Sequence, residues 1–238
     1  MTSLLIGANG GLAQAIYQKL NLLSECTQVD LVSRSFCTPF RRQDRVFTLD
    51  SCDADAVESF CFAREQEALK YQQVFCCIGM LHQPGRFPEK QLQQVRPESL
   101  SEYFQINTLA PANWLARLTR LCSSKGPLTI VFFSARVGSI EDNQLGGWYG
   151  YRISKAALNM LVKSAAPELI RFNPQARILC YHPGTVDTSL SAPFQSRMGT
   201  KPLLTPSQSV DGLFRYLTMP HEQTGAKFID WQGKSIPW

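Results

Sequence analysis

Tyr151 and Lys155 stand four residues apart in Tyr-Arg-Ile-Ser-Lys-Ala-Ala-Leu-Asn-Met, a stretch with strong helical patterning. On a helix that spacing puts a phenol and an ammonium on one face. A phenol ionises near pH ~10 and is a poor base at neutrality, and a nearby ammonium favours the phenolate and lowers that value. A phenol tuned in this way can give a proton to a carbonyl oxygen or take one from an alcohol. Tyr149 lies close by but has no lysine four residues on, so Tyr151 is the expected acid/base. Such a pair also arises by chance; its neighbours decide its weight.

A second set of residues could hold an anion. Ile6-Gly7-Ala8-Asn9-Gly10-Gly11-Leu12-Ala13 follows the first apolar run and opens the first helical pattern. Glycines there permit positive φ and close approach of the backbone to a pyrophosphate, which a helix N-terminus attracts. Gly7, Asn9, Gly10, Gly11 and Leu12 are therefore expected cofactor contacts. The second apolar run ends Leu31-Val32-Ser33-Arg34, where an acidic residue would accept from an adenosine ribose. Ser33 and Arg34 instead offer donors suited to a 2′-phosphate, so NADP(H) is favoured over NAD(H).

These residues need a frame. Apolar runs at 3–6, 29–32, 46–49, 74–77, 128–133, 177–181 and 227–229 predict seven strands. Helical patterns at 11–23, 53–66, 99–123, 151–170 and 206–217 separate most of them. Strands divided by helices cannot pair as hairpins and imply parallel pairing. The expected fold is α/β: a single doubly wound, Rossmann-type parallel sheet with helices on both faces, spanning 1–238 as one domain. Pro167 falls inside a helical pattern and is expected to kink that helix or end it early. The irregular stretch 183–206 is expected to be a substrate loop, with Phe194 and Met198 as a mobile apolar lid. Trp148 and Tyr149 either line a pocket or pack under a loop.

Composition excludes other classes. A net charge of +5 is scattered, and its densest cluster, Arg41-Arg42 and Arg45, is broken by Asp44. No nucleic-acid partner is expected from that pattern. No apolar run reaches the length of a membrane span, and the N-terminus lacks a basic leader, so a cytoplasmic location away from membranes is expected. The eight cysteines sit in predicted strands and helices without CxxC pairs, which predicts reduced thiols. His82, His182 and His221 are isolated, so no metal site is expected.

Taken in order, these motifs resemble the short-chain dehydrogenase/reductase family over residues 3 to 238. Gly7, Gly11 and Ala13 fall at its three glycine positions, Asp50 at its acidic position after the third strand, and Cys77-Ile78-Gly79 at its Asn-Ala-Gly motif. Asn107 matches the helix asparagine of its catalytic tetrad, and Pro183-Gly184-Thr185-Val186-Asp187-Thr188 matches its Pro-Gly-x-Val-x-Thr stretch. Ser-Ala-Arg-Val-Gly-Ser-Ile and Trp-Tyr-Gly-Tyr-Arg-Ile-Ser-Lys are similar to its C-factor (CsgA-like) branch. The resemblance implies that Asp50, Gly79, Tyr151, Lys155, Pro183, Gly184, Val186 and Thr188 contact the cofactor, that Lys155 holds its ribose, and that Asn107 anchors a relay water. It implies a small-molecule carbonyl or alcohol substrate and a homodimer or homotetramer built on the 99–123 and 151–170 helices.

The chain departs from the pattern at the hydroxyl that orients the carbonyl. Counting back from Gly138, the usual serine position holds Ala135; Ser134 is the favoured substitute and Ser139 the second candidate. That displacement, with the C-factor likeness, leaves a rival expectation: a dinucleotide-binding signalling or regulatory protein whose catalysis is vestigial.

Overall fold

The computed structural model describes residues 1–67, 69–197, 203–220 and 225–238. Seven strands, β1 (Thr2–Ile6), β2 (Gln28–Ser33), β3 (Arg45–Thr48), β4 (Gln73–Cys76), β5 (Leu128–Phe133), β6 (Ala176–His182) and β7 (Lys227–Asp230), form one sheet. Its order is β3-β2-β1-β4-β5-β6-β7, and all six neighbouring pairs are parallel. The chain builds outward from β1 to β3, then returns to start β4 on the other side of β1. The crevice beyond the carboxyl ends of β1 and β4 is thus the switch point where open α/β sheets bind ligands.

Period-two alternation sorts side chains between two cores. Leu4, Ile6, Val74, Ile130 and Phe132 face Val57, Trp114, Leu158 and Val162. Leu5, Leu31, Phe75, Val131 and Leu179 face Ile16, Leu20 and Leu213 on the opposite side. The first layer is made by α2 (Ala54–Gln66), α4 (Ala110–Leu115) and α6 (Tyr149–Phe172). The second layer is α1 (Gly11–Leu22) and α7 (Pro206–Thr218). The central strands are largely apolar because both faces are covered.

Two helical expectations change. The single helix predicted over 99–123 is instead α3 (Pro97–Phe104), a π turn (Gln105–Leu109), α4 and the short α5 (Leu118–Leu121). Pro111 is the cause: a proline has no N–H to give and its ring crowds the carbonyl four residues back, here that of Asn107. Widening the ladder, with Ala110 N–H reaching back to Gln105 O, relieves the clash. Pro167, by contrast, does not end α6, which continues to Phe172.

Six cysteines are buried, two are partly buried, and all eight are free. Two of the three arginines in the basic cluster are paired: Arg41 with Asp44, and Arg45 with Asp30 and Glu67. After β7 the chain turns at Gly233 and folds back. Asp230 N–H donates to Lys234 O at 2.9 Å and Ile236 N–H to Phe228 O at 2.8 Å, covering the outer edge of β7. Among the described residues no helix is long and apolar enough to cross a membrane.

Candidate active site

The glycine turn is shaped by β2 as much as by itself. Gly7 and Ala8 N–H both donate to Val32 O, at 2.8 and 3.0 Å. Gly7 has φ +81°, and a Cβ there would lie 3.1 Å from the Cys77 carbonyl carbon, so only glycine fits between the ends of β1 and β4. Cys77 N–H closes the same gap by donating to Ile6 O at 2.8 Å. Asn9 donates to Ser35 Oγ at 2.8 Å and to Ser35 O at 3.0 Å, tying the turn to the β2 exit. Ser33 is buried there, its hydroxyl given to Ser35 O, while Arg34 is exposed and forms no ion pair among the described residues. Asp50 is exposed beyond β3 and accepts from Cys52 N–H at 2.9 Å.

The start of α1 suits an anion. Its N-cap, Gly10, offers no side-chain cap and the first turn holds no acidic residue. Those backbone donors and the positive end of the helix dipole therefore face the cleft unneutralised. A Cβ on Gly11 would meet Thr188 Cγ2 at 2.9 Å, so the glycine keeps a narrow trough between the turn and the Pro183–Thr188 stretch. These residues fit a dinucleotide.

A cavity of about 340 Å³ runs from this trough to Tyr151. Gly10, Gly11, Leu12 and Gly79 line one end. Pro183, Gly184, Val186 and Thr188 line a second side, and Ser134, Tyr151 and Lys155 the far wall. Gly7, Asn9, Ser33, Arg34, Asp50 and Asn107 lie outside it. Trp148 and Phe194 also line it, in contact with each other at 5.1 Å between ring centroids. Phe194 is on a short 3-10 helix, Ala192–Arg197, inside the expected substrate loop. Met198 and His221 lie outside the described residues.

The third residue of α6 is Tyr151, 7% exposed, packed edge-on against Tyr103 and Trp148 at 6.3 Å each. Its hydroxyl has no hydrogen-bond partner among the described residues. One turn on, Lys155 is 3% exposed and donates from Nζ to Phe133 O at 2.8 Å. Nζ lies 6.0 Å from the Tyr151 ring centroid. Gly138 brings this corner together, since a Cβ there would stand 2.8 Å from Lys155 Cβ. Burial, not the ammonium, governs the phenol: its pKa is driven above the ordinary value by desolvation, with Tyr103 adding to it. That reverses the lowering expected from the spacing, because the amine is itself desolvated. Burial pushes Lys155 down to about 8, against small opposing effects of Cys76, Cys180 and Cys77.

Asn107 is fully buried on the π turn. Its Oδ1 accepts from Met80 N–H at 2.7 Å, and its Nδ2 donates to Met80 O and Ser154 Oγ at 2.9 Å each. It clamps the chain leaving β4 to the helix that carries Tyr151. Ser134 gives its one proton to Asn159 Oδ1 at 2.6 Å, and Asn159 donates to Gly138 O at 3.2 Å. Ser139 accepts from Asp142 N–H at 3.0 Å and does not reach the cavity.

Ala135, Arg136 and His182 line the cavity although sequence reasoning assigned none of them a place in the site. Ala135 was noted only as a missing hydroxyl. Arg136 projects from the same corner, paired to Asp230 at 3.0 Å and Asp142 at 3.2 Å. His182 ends β6 beside the Pro-Gly stretch; burial pushes its imidazole down to about 4, so it is neutral across the physiological range. Its place directly before Pro183-Gly184 was the available signal.

The chain belongs to the short-chain dehydrogenase/reductase family, a class of oxidoreductases. The family profile described as Enoyl-(Acyl carrier protein) reductase matches residues 30–206. The chain is 30% identical over 140 residues to C-signal of Myxococcus xanthus, covering 58% of this chain and 78% of that protein. It is 27% identical to 1-hydroxy-2-glutathionyl-2-methyl-3-butene dehydrogenase of Rhodococcus sp. (strain AD45), over 100% of this chain and 99% of that one. The fold is shared with NADPH-bound carbonyl reductase from chicken fatty liver, at TM-score 0.81 and 22% identity over 100% and 98% of the two chains. The likeness to the C-factor branch therefore holds, and so does the doubly wound fold.

Proposed function

We propose that this oxidoreductase is an NADP(H)-dependent carbonyl reductase, in reverse an alcohol dehydrogenase, acting on a small molecule. The observation that carries the reading is the Tyr151 hydroxyl, unpartnered among the described residues and open to a cavity that begins at an uncapped helix N-terminus. When bound, the cofactor supplies the hydride. Gly7, Asn9, Gly10, Gly11 and Leu12 would cradle its pyrophosphate, Ser33 and Arg34 its 2′-phosphate, and Asp50 and Gly79 its adenine and ribose side. Pro183, Gly184, Val186 and Thr188 would hold the nicotinamide end. A cofactor-bound chicken carbonyl reductase with the same fold supports this choice.

Tyr151 gives its proton to the carbonyl oxygen. Burial holds its pKa above the ordinary value, so at neutrality the phenol is in the protonated form that can donate. Lys155 binds ribose hydroxyls and offsets charge developing on the phenol. Asn107 holds Met80 and Ser154, and it would anchor a relay water near Lys155. Ser134 must leave Asn159 to orient a substrate, so its contribution is small: Ser134→Ala is expected to lower kcat/KM by less than about tenfold. A loss of a hundredfold or more would show that the hydroxyl turns outward and acts directly.

Lys155, pushed down to about 8, carries its charge below that pH and loses it above. Its nearest thiols, Cys76, Cys77 and Cys180, are all raised by burial and stay neutral. With NADPH as the varied substrate, kcat/KM for reduction is expected to be level below about pH 8 and to fall above it. A profile flat to pH ~10 would refute this role of Lys155.

The reading is tested by following NADPH absorbance against a panel of ketones and aldehydes. Turnover on at least one is expected. Tight NADPH binding without turnover on any would favour a regulatory dinucleotide-binding protein, a rival to which the C-signal match lends support. Exposed Phe104, Leu109, Ile153 and Met160 along α3, the π turn and α6 support a homodimer or homotetramer.

A further inference from the structure

The helix that carries Tyr151 starts without the usual devices. Its N-cap is Trp148, which supplies no side-chain cap, and its first turn has no acidic residue. Trp148 is also left-handed, with φ 52° and ψ 42°, after left-handed Gly146 and Gly147. A bulky residue in that region persists only when its surroundings hold it there.

The holding group is Glu89, far away in sequence, in the segment between β4 and α3. Its backbone oxygen accepts from Trp148 N–H at 2.5 Å. Its carboxylate Oε2 accepts from Gly150 N–H at 3.1 Å. One residue thus anchors both the left-handed corner and the first turn, and places an anion at the positive end of α6. Glu89 is 6% exposed, and its other oxygen, Oε1, is buried without a partner among the described residues. Such burial is costly for a carboxylate and persists only where the group is needed. Gly150 must be glycine for the contact to form. A Cβ there would lie 2.3 Å from Tyr103 Cδ2 and 3.2 Å from Glu89 Oε1. Tyr103, whose hydroxyl is fixed to Leu81 O at 2.7 Å, then packs on the Tyr151 ring.

We propose that Glu89 is the positioning residue of Tyr151, capping α6 from another segment so that the phenol faces the cavity and Lys155. The inference rests on Tyr151 as the proton donor. Glu89 does not line the cavity that holds Tyr151; it acts through Gly150, the residue next to the phenol.

The test compares three replacements in the full chain, using a carbonyl turned over in the panel. Glu89→Ala removes the cap, Glu89→Asp keeps the charge but cannot reach Gly150, and Glu89→Gln keeps an acceptor of the same length. Expected are a fall in kcat of about tenfold or more for Ala, several-fold for Asp, and recovery to within about threefold for Gln. The NADPH dissociation constant, read by fluorescence, should change by less than about twofold in all three. Asp serves if Ala does not fold. Wild-type kcat in Ala and Asp, or equal losses of kcat and NADPH affinity without recovery by Gln, would overturn the proposal. Tyr151→Phe run beside them separates the two ideas. A fully active Tyr151→Phe sinks the reductase reading, whereas an inactive one with active Glu89→Ala sinks only the positioning role.

Discussion

Tyr151→Phe is expected to lower kcat for carbonyl reduction by about two to four orders of magnitude, the usual worth of a positioned proton donor. The ring remains, so its packing against Tyr103 and Trp148 is kept. The lost hydroxyl has no partner among the described residues, so its removal strands no donor or acceptor there. Melting temperature and NADPH affinity should therefore stay near wild type while the chemical step fails. Stopped-flow turnover alongside cofactor titration separates these quantities. A variant with unimpaired kcat would end the case for this phenol as the acid.

Arg34→Ala is expected to weaken NADPH by about tenfold to a hundredfold and NADH by less than about twofold. Hydrogen bonds to a charged group contribute about 1.5–3 kcal/mol, and each 1.4 kcal/mol is tenfold in affinity. Only NADPH carries the 2′-phosphate that would lose its partner. Arg34 is exposed at the β2 exit and bound to no carboxylate among the described residues, so it is available without breaking an internal pair. The preference should shrink as salt rises, because exposed charges are screened. Equal weakening of both cofactors, measured by titration, would remove the argument for the phosphate.

Much of this was legible in the chain because it is local. A glycine turn directly after an apolar run, and a tyrosine and lysine one helical turn apart, need no tertiary knowledge to interpret. Strand and helix alternation then dictated parallel pairing, and all seven strands fall close to where the apolar runs place them. What escaped depends on contacts between distant segments. The proton of Ser134 goes to Asn159, 25 residues on, and Glu89 meets Gly150 across 61. Neither pairing leaves a local pattern. The elevated phenol escaped for another reason: spacing reveals a neighbouring charge but not how completely both groups are removed from water. The broken helix near Asn107 was readable in principle, since Pro111 stands in it, whereas Pro167 shows that a proline alone does not decide.

The folded-back tail after β7 bears on how molecules of this protein meet one another. A sheet open at both margins can be extended by a foreign strand on either side, which is a route to fibrous assembly. Here Lys234 and Ile236 already occupy the hydrogen-bonding groups of one margin. The other margin, β3, offers only the four residues Arg45–Thr48, one of them a charged arginine held by Asp30 and Glu67. Stacking of copies edge to edge is thereby discouraged, and removing the last five residues is expected to raise the tendency to precipitate on concentration, read by light scattering.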